Sequence, residues 1–416
     1  MSKISDGFLS FVKETPNAYY CVKNVSAILK KMGFTELKES EEWDIRAGKY
    51  FVSRNDASII AFKVRPGFDR FAIVASHGDS PSLHVKSNPE MLEEGYAKLN
   101  TEIYGGPLRY SWLDRPLSLA GRVIVKGENG YRTRLVNIAK DLLVIPSLAI
   151  HMNREANDAL SLNPQKHLLP VYALSEEKKS LKQLLEAEVK EEVLDYDLYL
   201  YNRDEPRYVG ENNEFILSPR IDNLGCAYSS LMAFLSAENE SVAQVYACFN
   251  NEEVGSETQE GAASTFLKDV LMRIAEYYDL SYRPLIARSF LISADNGHAV
   301  HPNYEEKCDP TNRCHMNQGI VIKHHINYTS DGKTSAVLKD ILTSKNIPYQ
   351  EFCARSDLRN GSTLGKISLS QVSLSSVDVG MAQLAMHSAN ELCGSRDIEL
   401  LIDALSAFYK SRVVFE

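Results

Sequence analysis

Two adjacent carboxylates, Glu252 and Glu253, follow the apolar run Val245-Tyr246-Ala247-Cys248-Phe249. Its β-branched and aromatic residues make that run read as a buried strand. The pair then stands where a strand opens into a loop, and the carboxyl ends of strands are where an α/β sheet builds its sites. Side by side, two carboxylates repel and lose solvation, so their roles should differ. A metal held by one and a proton carried by the other resolves the conflict. A solvated acidic turn is the competing reading.

Further residues share this placement. His77 follows the strand-like run 70–76, and Asp79, two residues on, is placed to hold its ring. Asp295 ends the apolar run 289–294. Asp222 sits just before a helix expected over 223–237, where an acid is favoured and where a plain helix cap would also account for it. His387 precedes a helix expected over 397–410. Two imidazoles and three carboxylates suit two divalent first-row ions, zinc by default and manganese or cobalt as alternatives, if one carboxylate bridges them. Glu252 is then left as general base.

The elements that must carry these residues alternate between strand and helix. A helix is expected over 18–32 with Gly33 as its stop, and a hairpin at Asn55-Asp56 between strands 50–52 and 58–62. Further helices are expected over 261–278 and from Thr334, and strands over 320–323 and 377–380. Near Asn88 the texture changes to short strands and turns, a β-rich unit, and it reverts near Phe215. Within that unit residues 176–193 read as a charged, exposed helix and 196–201 as a strand. The 416 residues suffice for two domains, 44% hydrophobic and 24% charged.

The net charge of −9 argues against a nucleic-acid surface, and no apolar run is long enough to span a membrane. The opening Met1-Ser2-Lys3-Ile4-Ser5-Asp6 lacks a secretory pattern. Seven scattered cysteines without Cys-x-x-Cys suggest neither a disulfide framework nor a cysteine zinc site, so a cytoplasmic enzyme with reduced thiols is expected.

The blocks around these residues resemble one family. Asn251-Glu252-Glu253-Val254-Gly255-Ser256 is similar to the glutamate signature of the aspartyl aminopeptidases, di-zinc exopeptidases. Ser76-His77-Gly78-Asp79-Ser80-Pro81, Ser218-Pro219-Arg220-Ile221-Asp222-Asn223, the block from Ser293 to Tyr304, and Gln383-Leu384-Ala385-Met386-His387-Ser388 match in family order. The resemblance implies a mixed-sheet α/β zinc-exopeptidase catalytic domain, residues 1–88 plus 216–416, with an inserted β-rich dimerisation domain, residues 89–215. It implies that His77 and Asp295 hold one ion, Glu253 and His387 the other, and that Asp222 bridges. Glu252 becomes the general base and Asp79 the supporting carboxylate. Substrate contacts are expected from His151, His298 and Lys323. For His151 the family implies reach into a neighbouring subunit's site, and a packed interface histidine is the alternative. Lys323 is the candidate cation for an acidic first residue, against a lysine on a solvated strand end.

The expected activity is removal of an N-terminal Asp or Glu from peptides, in dimers and a tetrahedral dodecamer. An aminopeptidase for neutral or apolar N-termini, and a catalytically silent oligomeric shell, are the alternatives. The sequence departs from the family pattern at Gly78, where threonine is usual, and at Asn250-Asn251, where Asp-His is usual. Neither change removes a ligand.

Overall fold

The computed structural model describes residues 3–415 except 177, 359, 360 and 362. Met1 and Ser2 of the opening stretch, and Glu177 of the expected charged helix, lie outside the described residues. The chain divides into two compact units, one of Met1–Asp79, Pro206–Met386 and Glu391–Glu416, the other of Ser80–Glu205 and His387–Asn390.

Among the described residues the first unit is built on a nine-stranded mixed sheet. Its strands run in the order Thr35–Leu37, Gly48–Arg54, Ser58–Val64, Ala243–Phe249, Phe71–His77, Phe290–Ala294, Ser375–Gly380, Ile320–His324, Tyr349–Cys353. The central strands are buried on both faces, which is why they read as unbroken apolar runs rather than alternating ones. Their side chains alternate between two cores. Val74, Tyr246 and Ala61 meet the helices Ala18–Lys31, Ile221–Ser236 and Asp397–Lys410, while Ile73, Val245 and Phe62 meet Phe266–Tyr277. At ~1.5–3 kcal/mol for each large apolar side chain buried, these two layers hold the strand ends rigidly in place.

Three neighbouring strands matter most. Ala243–Phe249, Phe71–His77 and Phe290–Ala294 are mutually parallel, with Phe249 opposite His77. Their carboxyl ends therefore deliver Asn250–Glu253, His77 and Asp295 to one edge of the sheet. The hairpin at Asn55-Asp56 forms as expected, both residues at positive φ. The expected 261–278 helix is shorter, Phe266–Tyr277.

The second unit holds a six-stranded sheet among the described residues, with its own core around Leu83, Val123, Leu198 and Leu200. The change of texture expected near Asn88 falls inside the strand Ser82–Glu93, where Asn88 takes φ 50° and the register against Tyr96–Tyr104 shifts. The charged helix expected over 176–193 is only Leu181–Val189. Ser180 starts it with a capping box, Lys190 ends it in the left-handed region, and Val193 already begins the next strand, Val193–Asn202. Leu181 and Leu185, both buried, anchor it.

Candidate metal centre

His77 is fully buried, and its two ring nitrogens have different tasks. Nδ1 lies 3.2 Å from the Asp79 carbonyl and 3.3 Å from its Oδ1. That contact turns Nε2 toward a set of acids: Asp222 Oδ1 at 3.6 Å, Asp295 Oδ1 at 3.7 Å and Glu252 Oε2 at 3.9 Å. Ligand atoms of His77, Asp222 and Glu253 all lie within 4.8 Å of one another. Separations of 3.6–3.7 Å are too long for good hydrogen bonds. They match the spacing of ligands about a shared ion, which at bonds of ~2.0–2.2 Å in tetrahedral geometry is roughly 3.3–3.6 Å. The donor set, imidazole with carboxylates, is one that zinc accepts. The residues fit a metal.

Each acid is held by its own local structure. Asp79 Oδ1 and Oδ2 accept the backbone N–H groups of Glu252 and Glu253 at 3.3 and 3.2 Å, so one carboxylate ties the His77 loop to the glutamate turn. Asn251 opens that turn at φ 60°, a conformation asparagine tolerates, and its Oδ1 accepts from Thr258 Oγ1 at 2.9 Å. Asp222 lies at the start of Ile221–Ser236, where it and Asn223 are not helical and their peptide is cis. Its N–H donates to Glu391 Oε2 at 2.8 Å. Two side-chain amides join this start to the Asp295 loop: Asn223 donates to the Ala294 carbonyl at 2.9 Å and Asn296 to the Ile221 carbonyl at 3.0 Å.

Gly78 has a plain steric reason. A Cβ there would sit 2.9 Å from Cys21 Sγ and 3.2 Å from Cys248 Sγ, two buried thiols that pack beneath the loop. A threonine at this position would have to displace them.

The electrostatics follow from crowding. Burial pushes the Glu252 carboxyl up to about 8; His77 opposes the rise, and Asp295, Asp79 and Asp222 add to it. Burial, and then Asp222, raise Glu253 well above the usual carboxylate range. Asp295 goes the other way: burial opposes its charge, but Lys323 and His77 hold it below that range. His77 is disfavoured as a cation by burial and lifted above the ordinary histidine range by Asp295 and Asp79. A metal ion and a proton compete for the same Nε2, and the carboxylates that attract one attract the other.

Lys323 was expected to emerge at a strand end. It lies within Ile320–His324, only 1% exposed, so the solvated strand-end reading fails. Its Nζ meets Asp295 Oδ2 at 3.2 Å and the Asn296 carbonyl at 3.1 Å, with the Tyr328 ring 5.2 Å away. Burial works against its charge, but Asp295 outweighs it and keeps the ammonium above the usual lysine range. His298 is exposed on the strand Gly297–His298, its ring 6.0 Å from Phe352.

The remaining expected residues belong to the second unit. His387 has φ 66°, with Nδ1 3.0 Å from the Gly106 carbonyl and its own carbonyl accepting from Leu108 at 2.9 Å. His151 is exposed in a turn. Sequence reasoning missed Glu391. Its signal was weak: a single acid at the start of a short strand, Glu391–Gly394, paired with Phe215–Ser218 just ahead of Asp222.

The family model described as aminopeptidase I zinc metalloprotease (M18) matches residues 11–409. A probable M18 family aminopeptidase 2 of Clostridium novyi is 43% identical over 427 residues, covering 98% of each chain. Among solved structures, a chain in the cryo-EM structure of the Ape4 and Nbr1 complex superposes with a TM-score of 0.94 at 34% identity, over 99% of this chain and 88% of that one. The mApe1 structure of Chaetomium thermophilum follows at 0.87 and 27%, over 98% and 97%. The chain belongs to the M18 family of zinc metalloprotease aminopeptidases.

Proposed function

We propose that this metal-dependent aminopeptidase removes acidic N-terminal residues from peptides with two divalent ions per subunit. The observation that carries the reading is the charge of the buried cluster. Asp79, Asp222, Glu252, Glu253 and Asp295 gather about His77 with the single ammonium of Lys323 beside them. With all five ionised and His77 neutral, as metal binding requires, four negative charges remain; without cations, burial and the same crowding raise the Glu252 and Glu253 carboxyls. Two dications balance them; zinc is the first choice, manganese or cobalt the alternatives. His77 and Asp295 would hold one ion, Glu253 and His387 the other, with Asp222 between them. Bound there, such ions acidify a shared water and polarise the scissile carbonyl.

The chain's own groups do the rest. Glu252, whose carboxyl sits 3.9 Å from His77 Nε2, takes the proton from water and passes it to the leaving amine. Asp79 keeps His77 and the glutamate turn in register. Lys323 spends two of its three hydrogens on Asp295 and Asn296, and the third is the one a substrate carboxylate would take. A charge pair at ~4 Å is worth roughly 4 kcal/mol at an effective dielectric near 20, much of it cancelled by desolvation. A net preference of about 1–3 kcal/mol is ten- to a hundredfold or so in rate. His298 and His151 would contact the peptide, His151 from a neighbouring subunit.

Self-association is part of the reading, with residues 89–215 as the dimerisation domain, 1–88 plus 216–416 as the catalytic domain, and a tetrahedral dodecamer as the assembly. Leu148, Ile150, Met152 and Leu160 stand exposed in the second unit, apolar area that a partner subunit would cover. No helix among the described residues is long and apolar enough to cross a membrane. A cytoplasmic location belongs to the same reading and rests on the scattered cysteines without a Cys-x-x-Cys motif. The test is a panel of aminoacyl chromogenic substrates with zinc, manganese or cobalt and with a chelator. Asp and Glu should lead by tenfold or more, and chelation should abolish turnover. Faster cleavage of Leu or Ala would replace the acidic assignment with the neutral one.

A further inference from the structure

A 380 Å³ cavity in the first unit shares only His298 with the residues given roles above. Its size lies within the ~300–1,000 Å³ of ordinary ligand pockets. Its wall is mostly apolar and includes His298, Ala299, Phe352, Cys353, Ala354 and Leu384. Two features place it beside the metal centre. Phe352 is the strand partner of Lys323, so residues on one face of the sheet lead from the Asp295 ion pair to the cavity. The His298 strand also begins two residues beyond Asp295.

A polar group on the same wall points to a peptide. Asn296 Oδ1 accepts from the Met381 N–H and from the Cys226 thiol, which fixes its amide so that Nδ2 donates to Gln383 Oε1 at 2.8 Å. The orientation of Gln383 follows from that bond. Its Nε2, on a residue only 1% exposed, has no hydrogen-bond partner among the described residues. An amide N–H pair beside an apolar hollow suits a backbone carbonyl next to an apolar side chain.

We propose that this cavity receives an apolar side chain of the released peptide, on the leaving-group side of the scissile bond. The inference rests on the aminopeptidase reading, in which Lys323 serves the first residue. The cavity begins one side chain beyond Lys323, and the described wall does not include it. A chain whose first side chain reaches Lys323 continues past His298 toward the hollow.

The test is a set of amidated tetrapeptides, Asp-X-Ala-Ala and Asp-Ala-X-Ala, with X as Gly, Leu, Phe, Glu or Lys. Leu or Phe should exceed Gly by about tenfold in kcat/KM at one of the two positions, and Ala354→Phe, which fills the hollow, should cut that ratio toward one. A smaller change, Ala299→Val, should cut it partially and guards against misfolding of the first variant. Equal rates for every X, or a Leu-to-Gly ratio untouched by both variants, would overturn the proposal. So would a change in selectivity among single-residue chromogenic amides, which would make the cavity the first-residue pocket. Those amides also report the first-residue preference independently. If they favour Leu over Asp, the same peptides are run behind Leu, and the cavity is judged on X alone.

Discussion

The two units handle charge in opposite ways. In the second, acids meet bases near the surface: Glu191 lies 2.8 Å from Arg132 and 2.7 Å from Arg134, and Asp197 lies 2.7 Å from Arg122. In the first, five carboxylates crowd about one histidine and one lysine, out of water. Paired surface charges add little, typically 0–1 kcal/mol. A buried surplus is costly unless cations join it, and it persists because the sheet's two apolar layers hold the strand ends rigid. Function should therefore be lost where the surplus is disturbed and barely change where charges are already matched.

The largest break should come at Asp222, the proposed bridge. Asp222→Asn replaces a shared anion with a neutral amide, so metal content should fall by at least one ion per subunit and activity by a thousandfold or more. Full metal content by elemental analysis would remove Asp222 from the bridge. Lys323→Met should lower kcat/KM for Asp and Glu substrates by about ten- to a hundredfold and for Ala or Leu substrates less. An equal loss on both would mean that the lysine serves only Asp295. Glu391→Leu deprives the Asp222 N–H of its acceptor and should cost about tenfold in metal affinity, with Glu391→Gln restoring most of it. Unchanged affinity in the Leu variant would leave Glu391 with packing alone.

The surplus also has a pH signature in chelated protein. The folded-state value of about 8 for Glu252 exceeds its unfolded value of ~4.3. The folded state thus holds an extra proton between them. The stability this gives is complete below the unfolded value and lost as pH rises through about 8. Tm of the chelated protein should fall by a few degrees between pH 5 and 8.5, and that of the metal-loaded protein by less. Parallel slopes would show that the ions do not relieve the crowding. The smallest effect belongs to the matched side: Arg134→Ala should shift Tm by no more than a degree or two, read by calorimetry.

Much of this arrangement was legible in the sequence, for a physical reason. His77, Asp295 and the glutamates each end a run apolar enough to be a central strand, and parallel neighbours bring their ends together. The helix 397–410 was equally plain. Long-range pairings were not. Nothing near Lys323 in sequence announces that its partner is Asp295, twenty-eight residues earlier, and Glu391 reaches Asp222 across 169 positions. The charged stretch before Ser180 looked helical because Glu and Lys favour helices. Glu176, Lys178 and Lys179 offer no apolar side chain to pack, and the helix starts at Leu181.

The central claim is that Glu252 moves the proton while its neighbours hold the ions. Metal content and turnover of Glu252→Gln, measured on one preparation, test it most directly. Two ions per subunit, with kcat at least a hundredfold below the unmutated enzyme, are expected. Near-normal turnover in the fully metallated variant would contradict the account.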